Sequence, residues 1–380
     1  MSNILEVMEG STAKDGTRFE KIIREAIDQQ TVSMLSYFEK TTKPSAHKKR
    51  IQREAKEKAR FAAYEKIANT PVTTLGSLAE KPSEIHSPRF YPNGTFLSLP
   101  SGTMHYWLFG DENGRRVVLI HGISSGAPCY DKLARELADN GHRVLVYDLW
   151  GRGFSDTPHA IYDDSLYTSQ LVSLLHKVGW EKTDVVGVSL GGGIATSFTA
   201  FYPEMVQKLV LIAPTGLMEL EDMPMSSKLA RLPIVSHLLI NQPLVKPLVT
   251  LGIQRFANSV RLPNPYAEEG ANEVSERIYK IVKHQFINHP GFFKAFLRTV
   301  MDFPFTGLKE RYDKVGEIKG PGSVLVVWGD QDKIVPFQNH VKLSASLPRA
   351  KLSVFKNHGH DLLISSWKSV NTEIRSFLSF

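Results

Sequence analysis

The chain has 380 residues, with 46 Lys and Arg against 39 Asp and Glu, a formal net charge of +7, and one cysteine, Cys129. A lone cysteine excludes an intramolecular disulfide and any cysteine-based zinc site, and 42% hydrophobic with 22% charged residues excludes a disordered or fibrous chain. Single cores stop growing at roughly 250–300 residues, so one main domain with an appendage or insertion is expected. The amino-terminal stretch has no basic segment followed by an apolar one, and no apolar run is long enough to cross a bilayer. A cytoplasmic, reducing location is therefore expected.

In chain order, residues 1–90 read as a basic, largely helical extension and linker. Between Lys43 and Arg60 stand eight basic residues against Glu54 and Glu57. Ala, Glu, Lys and Arg favour a helix from Ser45 to Ala68, with only Ile51, Phe61, Tyr64 and Ile67 as an apolar stripe. The simplest reading is a solvated helix. Its charge around Lys48–Arg60 also suits peripheral contact with an anionic membrane or a protein partner, whereas nucleic acid is disfavoured, since no aromatic platform accompanies the charge. Thr70–Pro92, rich in Pro and Ser, reads as a linker.

From Thr95 the pattern is regular. FLSLP and MHYWLF around Ser101-Gly102-Thr103 predict an antiparallel hairpin at a sheet edge. Arg116–His121 and Arg143–Asp148 are apolar runs suited to strands buried on both faces, each followed by a glycine-rich loop and then a helix, Tyr130–Asn140 and Ser165–Gly179. Next comes Thr183–Gly193, TDVVGVSLGGG. Here a β-branched run breaks at Gly187-Val188-Ser189-Leu190-Gly191 and continues as a helix start. Glycines two positions either side of Ser189 remove the Cβ atoms that would meet the neighbouring strand and helix, and the helix aims its free N–H groups at the serine. That is the geometry of an activated nucleophile.

Lys208–Ala213 is a further core strand. The next strand pattern is Ser323–Trp328, and the intervening residues carry helical apolar spacing at Lys228–Leu251, Asn272–Ile287 and Gly291–Met301. This insertion, residues 217–305, is expected to be a helical lid over the site. Its aromatics, Phe286, Phe292, Phe293, Phe296, Phe303 and Phe305, are expected to divide between lid core and pocket wall. The main domain is then 91–216 with 306–380. Its last part places Gly329-Asp330-Gln331-Asp332 after one strand and Asn357-His358-Gly359-His360 after another, Lys351–Phe355, before a closing helix over Leu362–Phe377. Polar groups at the carboxyl ends of parallel strands are where such sheets build sites.

These residues resemble the α/β-hydrolase superfamily: His121-Gly122 ending its strand, Asp148 with Gly151-Arg152-Gly153-Phe154-Ser155, the Gly187–Gly191 elbow, Trp328-Gly329-Asp330-Gln331-Asp332 up to Pro336, and Gly359-His360, in that order. The resemblance covers about Thr95 to Phe380. It implies a mostly parallel eight-stranded sheet with helices on both faces and a helical lid after the sixth strand. It also implies a Ser189 nucleophile, His360 as base rather than His358, and Asp332 rather than Asp330 as the orienting acid, since the family's acid stands four residues before a proline. Backbone N–H groups of Ile123 and Leu190 would form the oxyanion hole, with Gly187, Gly191, His121 and Gly122 supporting elbow and loop. A serine in the elbow points to a carboxylic ester hydrolase acting through an acyl-enzyme without cofactor or metal, and the Leu/Phe/Pro-rich composition of the expected lid points to an apolar acyl or monoglyceride-like substrate. Aminopeptidase or amidase, thioesterase, carbon–carbon bond hydrolase and acyltransferase chemistry use the same three residues, and a non-catalytic ligand receptor would keep the pocket alone. Glu219, Glu221 and Asp222 leave the aminopeptidase reading open, as carboxylates that could hold a substrate ammonium.

Overall fold

Strand β1 (Gly94–Leu99) turns back as β2 (Gly102–Gly110), with Leu99 opposite Gly102, and β2 also pairs antiparallel with β4 (His142–Tyr147). All other pairings are parallel, among β3 (Arg115–Ile120), β4, β5 (Thr183–Val188), β6 (Val206–Ile212), β7 (Val324–Gly329) and β8 (Lys351–Phe355). The eight strands run in the order β1-β2-β4-β3-β5-β6-β7-β8. The computed structural model describes residues 74–223, Lys228 and 264–379. The basic helix expected over Ser45–Ala68 and, beyond Lys228, the lid helix expected over Lys228–Leu251 lie outside the described residues.

Alternation within each buried strand separates two cores, because successive side chains point to opposite faces. Val118, Ile120, Val185, Leu209, Leu211 and Trp328 pack on one face with Leu171, Ile194, Phe198 and Tyr312. Val117, Leu119, Val186, Val210 and Leu325 pack on the other with Leu133, Leu137, Val370 and Ile374. The first set of helices comprises α2 (Asp164–Lys177), α3 (Leu190–Phe201) and α6 (Lys309–Ile318); the second comprises α1 (Asp131–Asp139) and α9 (Trp367–Ser379). Between β6 and β7 stand α4 (Ala271–Asn288) and α5 (Phe292–Asp302). Between β7 and β8 lies α7 (His340–Ser346).

Two expectations are corrected. Residues from Thr74 to Pro92 are not a linker but part of the same compact unit as the sheet: Leu78, His86 and Tyr91 are buried, and Trp107 Nε1 donates to Pro88 O at 2.7 Å. Leu78 and Tyr91 join the core on one face of the sheet, but they follow no period that a pattern could reveal. The closing helix is two, α8 (Leu362–Ser365) and α9, because Ser366 leaves helical geometry at φ −126°. Its hydroxyl is bonded to His358 instead. Among the aromatics of the expected lid, Phe286, Phe292 and Phe293 form a cluster with Leu297, against which Phe296 rests, while Phe303 and Phe305 join the main core.

Candidate active site

Ser189 caps α3 at φ +56° and ψ −117°, a region that a side chain occupies only under strain of roughly 1–3 kcal/mol. Its neighbours impose it. A Cβ on Gly187 would overlap the carbonyl of Gly191, and one on Gly191 would overlap the carbonyl of Ile120, so strand and helix approach as only glycine permits. The backbone of Ser189 is held on both sides: its N–H donates to Ile212 O at 2.9 Å, and its carbonyl accepts from Gly192 N at 2.9 Å and Thr215 N at 3.2 Å. Leu190 opens the helix, so its N–H has no acceptor within it.

The loop after β3 lies against this elbow, since a Cβ on Gly122 would stand 3.6 Å from that of Ser189. His121 is fully buried and used at both ring nitrogens. Nε2 accepts from Leu149 N at 2.9 Å, which leaves the proton on Nδ1 to donate to Gly122 O at 2.6 Å. Burial pushes this imidazole down to about 3, so it is neutral at physiological pH. The carbonyl it holds belongs to the same planar trans peptide as the N–H of Ile123, so His121 sets the direction of that N–H. Asp148, also fully buried, ties the same loop from beyond β4, accepting from Ala127 N at 3.0 Å and Phe154 N at 2.9 Å. Burial pushes its carboxyl up to about 7.

The loops after β7 and β8 bring a second pair together. His360 Nδ1 lies 2.7 Å from Asp332 Oδ2, with the carboxylate side chain 0% and the imidazole 19% exposed. Asp332 also accepts from Trp328 Nε1 at 3.2 Å, Ile334 N at 2.9 Å and Val335 N at 3.0 Å. With Nδ1–H donated to the carboxylate, His360 keeps the lone pair on Nε2. Burial lowers its pKa, but the charge of Asp332, the hydrogen bond to it and the charge of Asp361 outweigh burial, and the net direction is up. Asp330 and His358 face elsewhere. Asp330 accepts from Asn357 N at 2.7 Å, and His358 meets Ser366 Oγ at 3.0 Å and Ser365 Oγ at 3.2 Å.

Of the residues that frame this site, Trp328 belongs to the motif that holds Asp332, whereas Gln285 and Thr299 had no motif to announce them. Trp328 steadies Asp332, while Gln285 and Thr299 reach from α4 and α5 to the loops after β3 and β4. One signal existed for Gln285: it shares a helical stripe with Ile278 and Ile281, and a polar residue on a buried stripe needs a partner. Among the described residues no group of three or more His, Cys, Asp or Glu is placed to hold a metal, and no helix is long and apolar enough to cross a membrane.

A family model for the alpha/beta hydrolase fold matches residues 115–366. An uncharacterized protein of Mycobacterium tuberculosis is 27% identical over 256 residues, covering 65% of this chain and 70% of its own. A 2-hydroxy-6-oxononadienedioate/2-hydroxy-6-oxononatrienedioate hydrolase of Comamonas testosteroni is 28% identical over 285 residues, covering 70% and 87%. Among solved structures, a hydrolase from Pseudomonas aeruginosa aligns at a TM-score of 0.60 with 20% identity, over 76% of this chain and 99% of that one. With the sheet order, the strained serine elbow and the matched span in agreement, the chain belongs to the alpha/beta hydrolase fold family.

Proposed function

We propose that the protein is a serine hydrolase that cleaves carboxylic esters with an apolar acyl group. The observation that carries this reading is the Asp332–His360 bond, which leaves His360 Nε2 as a base at the sheet edge where Ser189 stands. In the proposed reaction Ser189 Oγ bonds to the ester carbonyl carbon as its proton passes to His360 Nε2. The developing oxyanion is met by the N–H groups of Leu190 and Ile123. Collapse expels the alkoxide, which takes the proton from His360, and leaves an acyl-enzyme. Water then gives a proton to His360 and its oxygen to the acyl carbon, and Ser189 recovers its hydrogen as the acid departs.

Support for an apolar acyl group comes from Leu217, Met218 and Met223 beyond β6 and Val335 beyond β7, all packed into the core at this edge. The aminopeptidase alternative loses support, because Glu219 pairs with Lys342 and Asp222 accepts from Glu219 N at 2.9 Å and Asn339 Nδ2 at 3.3 Å. A second reading, carbon–carbon bond hydrolysis of a vinylogous diketone acid, is favoured by the substrate named for the Comamonas relative. The test is the initial rate on p-nitrophenyl esters from acetate to palmitate, and on a 2-hydroxy-6-oxo-dienoate, for the parent and Ser189→Ala. Ester turnover abolished in the variant supports the proposal. Turnover of the dienoate alone would replace it with the second reading.

A further inference from the structure

The two described lid helices are joined to the loop that carries Ile123 by buried polar bonds, and these determine more than packing. Gln285 of α4 is fully buried. Its Oε1 accepts from Gly153 N at 2.7 Å and its Nε2 donates to Ser124 O at 3.2 Å, so one amide bridges the loops after β4 and β3. Thr299 of α5 works through Arg152. The guanidinium, also fully buried, donates from Nε to Ile123 O at 3.1 Å, from Nη1 to Trp150 O at 2.9 Å and Tyr167 OH at 2.7 Å, and from Nη2 to Thr299 Oγ1 at 2.9 Å.

The hydroxyl protons of this network have one consistent arrangement. Thr299 donates its single hydroxyl proton to Ala295 O at 2.7 Å, so towards Arg152 and Tyr167 it can only accept. Tyr167 therefore accepts from Arg152 and donates to Thr299, 2.7 Å away. The guanidinium is left in one orientation, with Nε on Ile123 O.

Ile123 is consequently fixed from both sides. The peptide before it is held by His121 through Gly122 O, and the peptide after it by Arg152 through Ile123 O; Gln285 holds the next carbonyl, Ser124 O. We infer that Gln285 and Thr299, the latter through Arg152, are positioning residues for the Ile123 N–H, so that the lid helices set oxyanion stabilisation as well as enclosing the substrate. This rests on the reading of Ile123 as an oxyanion donor given above. Neither side chain needs to touch substrate. Loss of either should loosen a donor whose value lies in being held where charge develops, and so should act on the transition state rather than on the ground state.

The experiment compares the parent with Gln285→Met, Thr299→Val, Thr299→Ser and Ser189→Ala. It reads kcat and KM on p-nitrophenyl butyrate, the inhibition constant of an alkyl trifluoromethyl ketone, which adds to serine as an oxyanion, and the melting temperature. For Gln285→Met and Thr299→Val we expect kcat to fall roughly 10- to 100-fold with KM within about threefold, and inhibition by the ketone to weaken in proportion. Thr299→Ser, which keeps the hydroxyl, should restore both. A lower melting temperature with kcat and ketone inhibition unchanged would overturn the inference, leaving these residues as packing alone. Should Gln285→Met fail to fold, the Thr299 pair decides by itself. Turnover retained in Ser189→Ala would instead overturn the underlying serine reading, whatever the lid variants do.

Discussion

Asp332 and His360 are 28 residues apart in the chain, yet their side chains meet at 2.7 Å, one rising from the loop after β7 and the other from the loop after β8. The carboxylate selects the Nδ1–H tautomer and raises the pKa of the imidazole against the opposing effect of burial. The base must be neutral to accept the serine proton, so activity should be lost as pH falls through a pKa above the ordinary histidine value near 6.5. A profile of kcat/KM against pH checks this; an acid limb centred below 6.5 contradicts it. Asp332→Asn should move the limb down and reduce kcat by roughly 10³- to 10⁴-fold, since the amide no longer selects the tautomer.

Ser189 sits at φ +56°, where a Cβ is strained. Ser189→Gly should abolish ester hydrolysis and labelling by a fluorophosphonate while raising stability. Relief of roughly 1–3 kcal/mol of strain exceeds the 0.5–1 kcal/mol that glycine adds to the freedom of the unfolded chain. Urea unfolding of the variant beside the parent measures the difference, and a destabilised Ser189→Gly would refute it.

The two neighbouring histidines should separate cleanly. His360→Ala removes the proposed base and should be nearly as damaging as loss of Ser189. His358 is bonded to Ser365 and Ser366 at the junction of α8 and α9. His358→Ala should keep most activity and cost roughly 1–2 kcal/mol in stability, the scale of a lost buried hydrogen bond. The reverse ranking in kcat would mean that the other imidazole is the base.

Acid should unfold the protein steeply. Burial pushes His86, His105 and His121 down to about 3, while the unfolded chain binds protons at these side chains near 6.5. Their contribution is complete above pH 6.5 and lost as pH falls. Asp148, pushed up to about 7 by burial, acts oppositely, because between pH 4 and 7 the folded form holds the extra proton. These four groups together should take up a net of about two protons on unfolding near pH 5, a slope of roughly 2.7 kcal/mol per pH unit, and His142 and His159, also lowered by burial, act in the same direction. His105 lies edge-on to Trp107, with ring centroids 4.3 Å apart, in an aromatic surround, so His105→Phe should reduce the slope by one proton. Urea midpoints between pH 4.5 and 6.5 test both statements.

What the sequence determined by itself is local. A strand buried on both faces must be a continuous apolar run, so the positions of β3, β5, β6 and β7 could be read from Val, Leu and Ile alone, to within a residue or two. The elbow demands glycine at the second position on either side of Ser189, so Gly187 and Gly191 mark it without reference to the rest of the chain. Tertiary structure decided what depends on distant partners. Asp332 and Asp330, or His360 and His358, have the same side-chain chemistry within each pair, and only the packing of the β7 and β8 loops turns one of each towards the other. Thr74–Pro92 has no period because it is neither helix nor strand for most of its length, and Leu78 and Tyr91 are buried by side chains of other segments. Gln285 reaches Gly153 and Ser124 across 132 and 161 residues, and a hydrogen bond at that separation constrains geometry in space while leaving almost no trace in the neighbouring sequence.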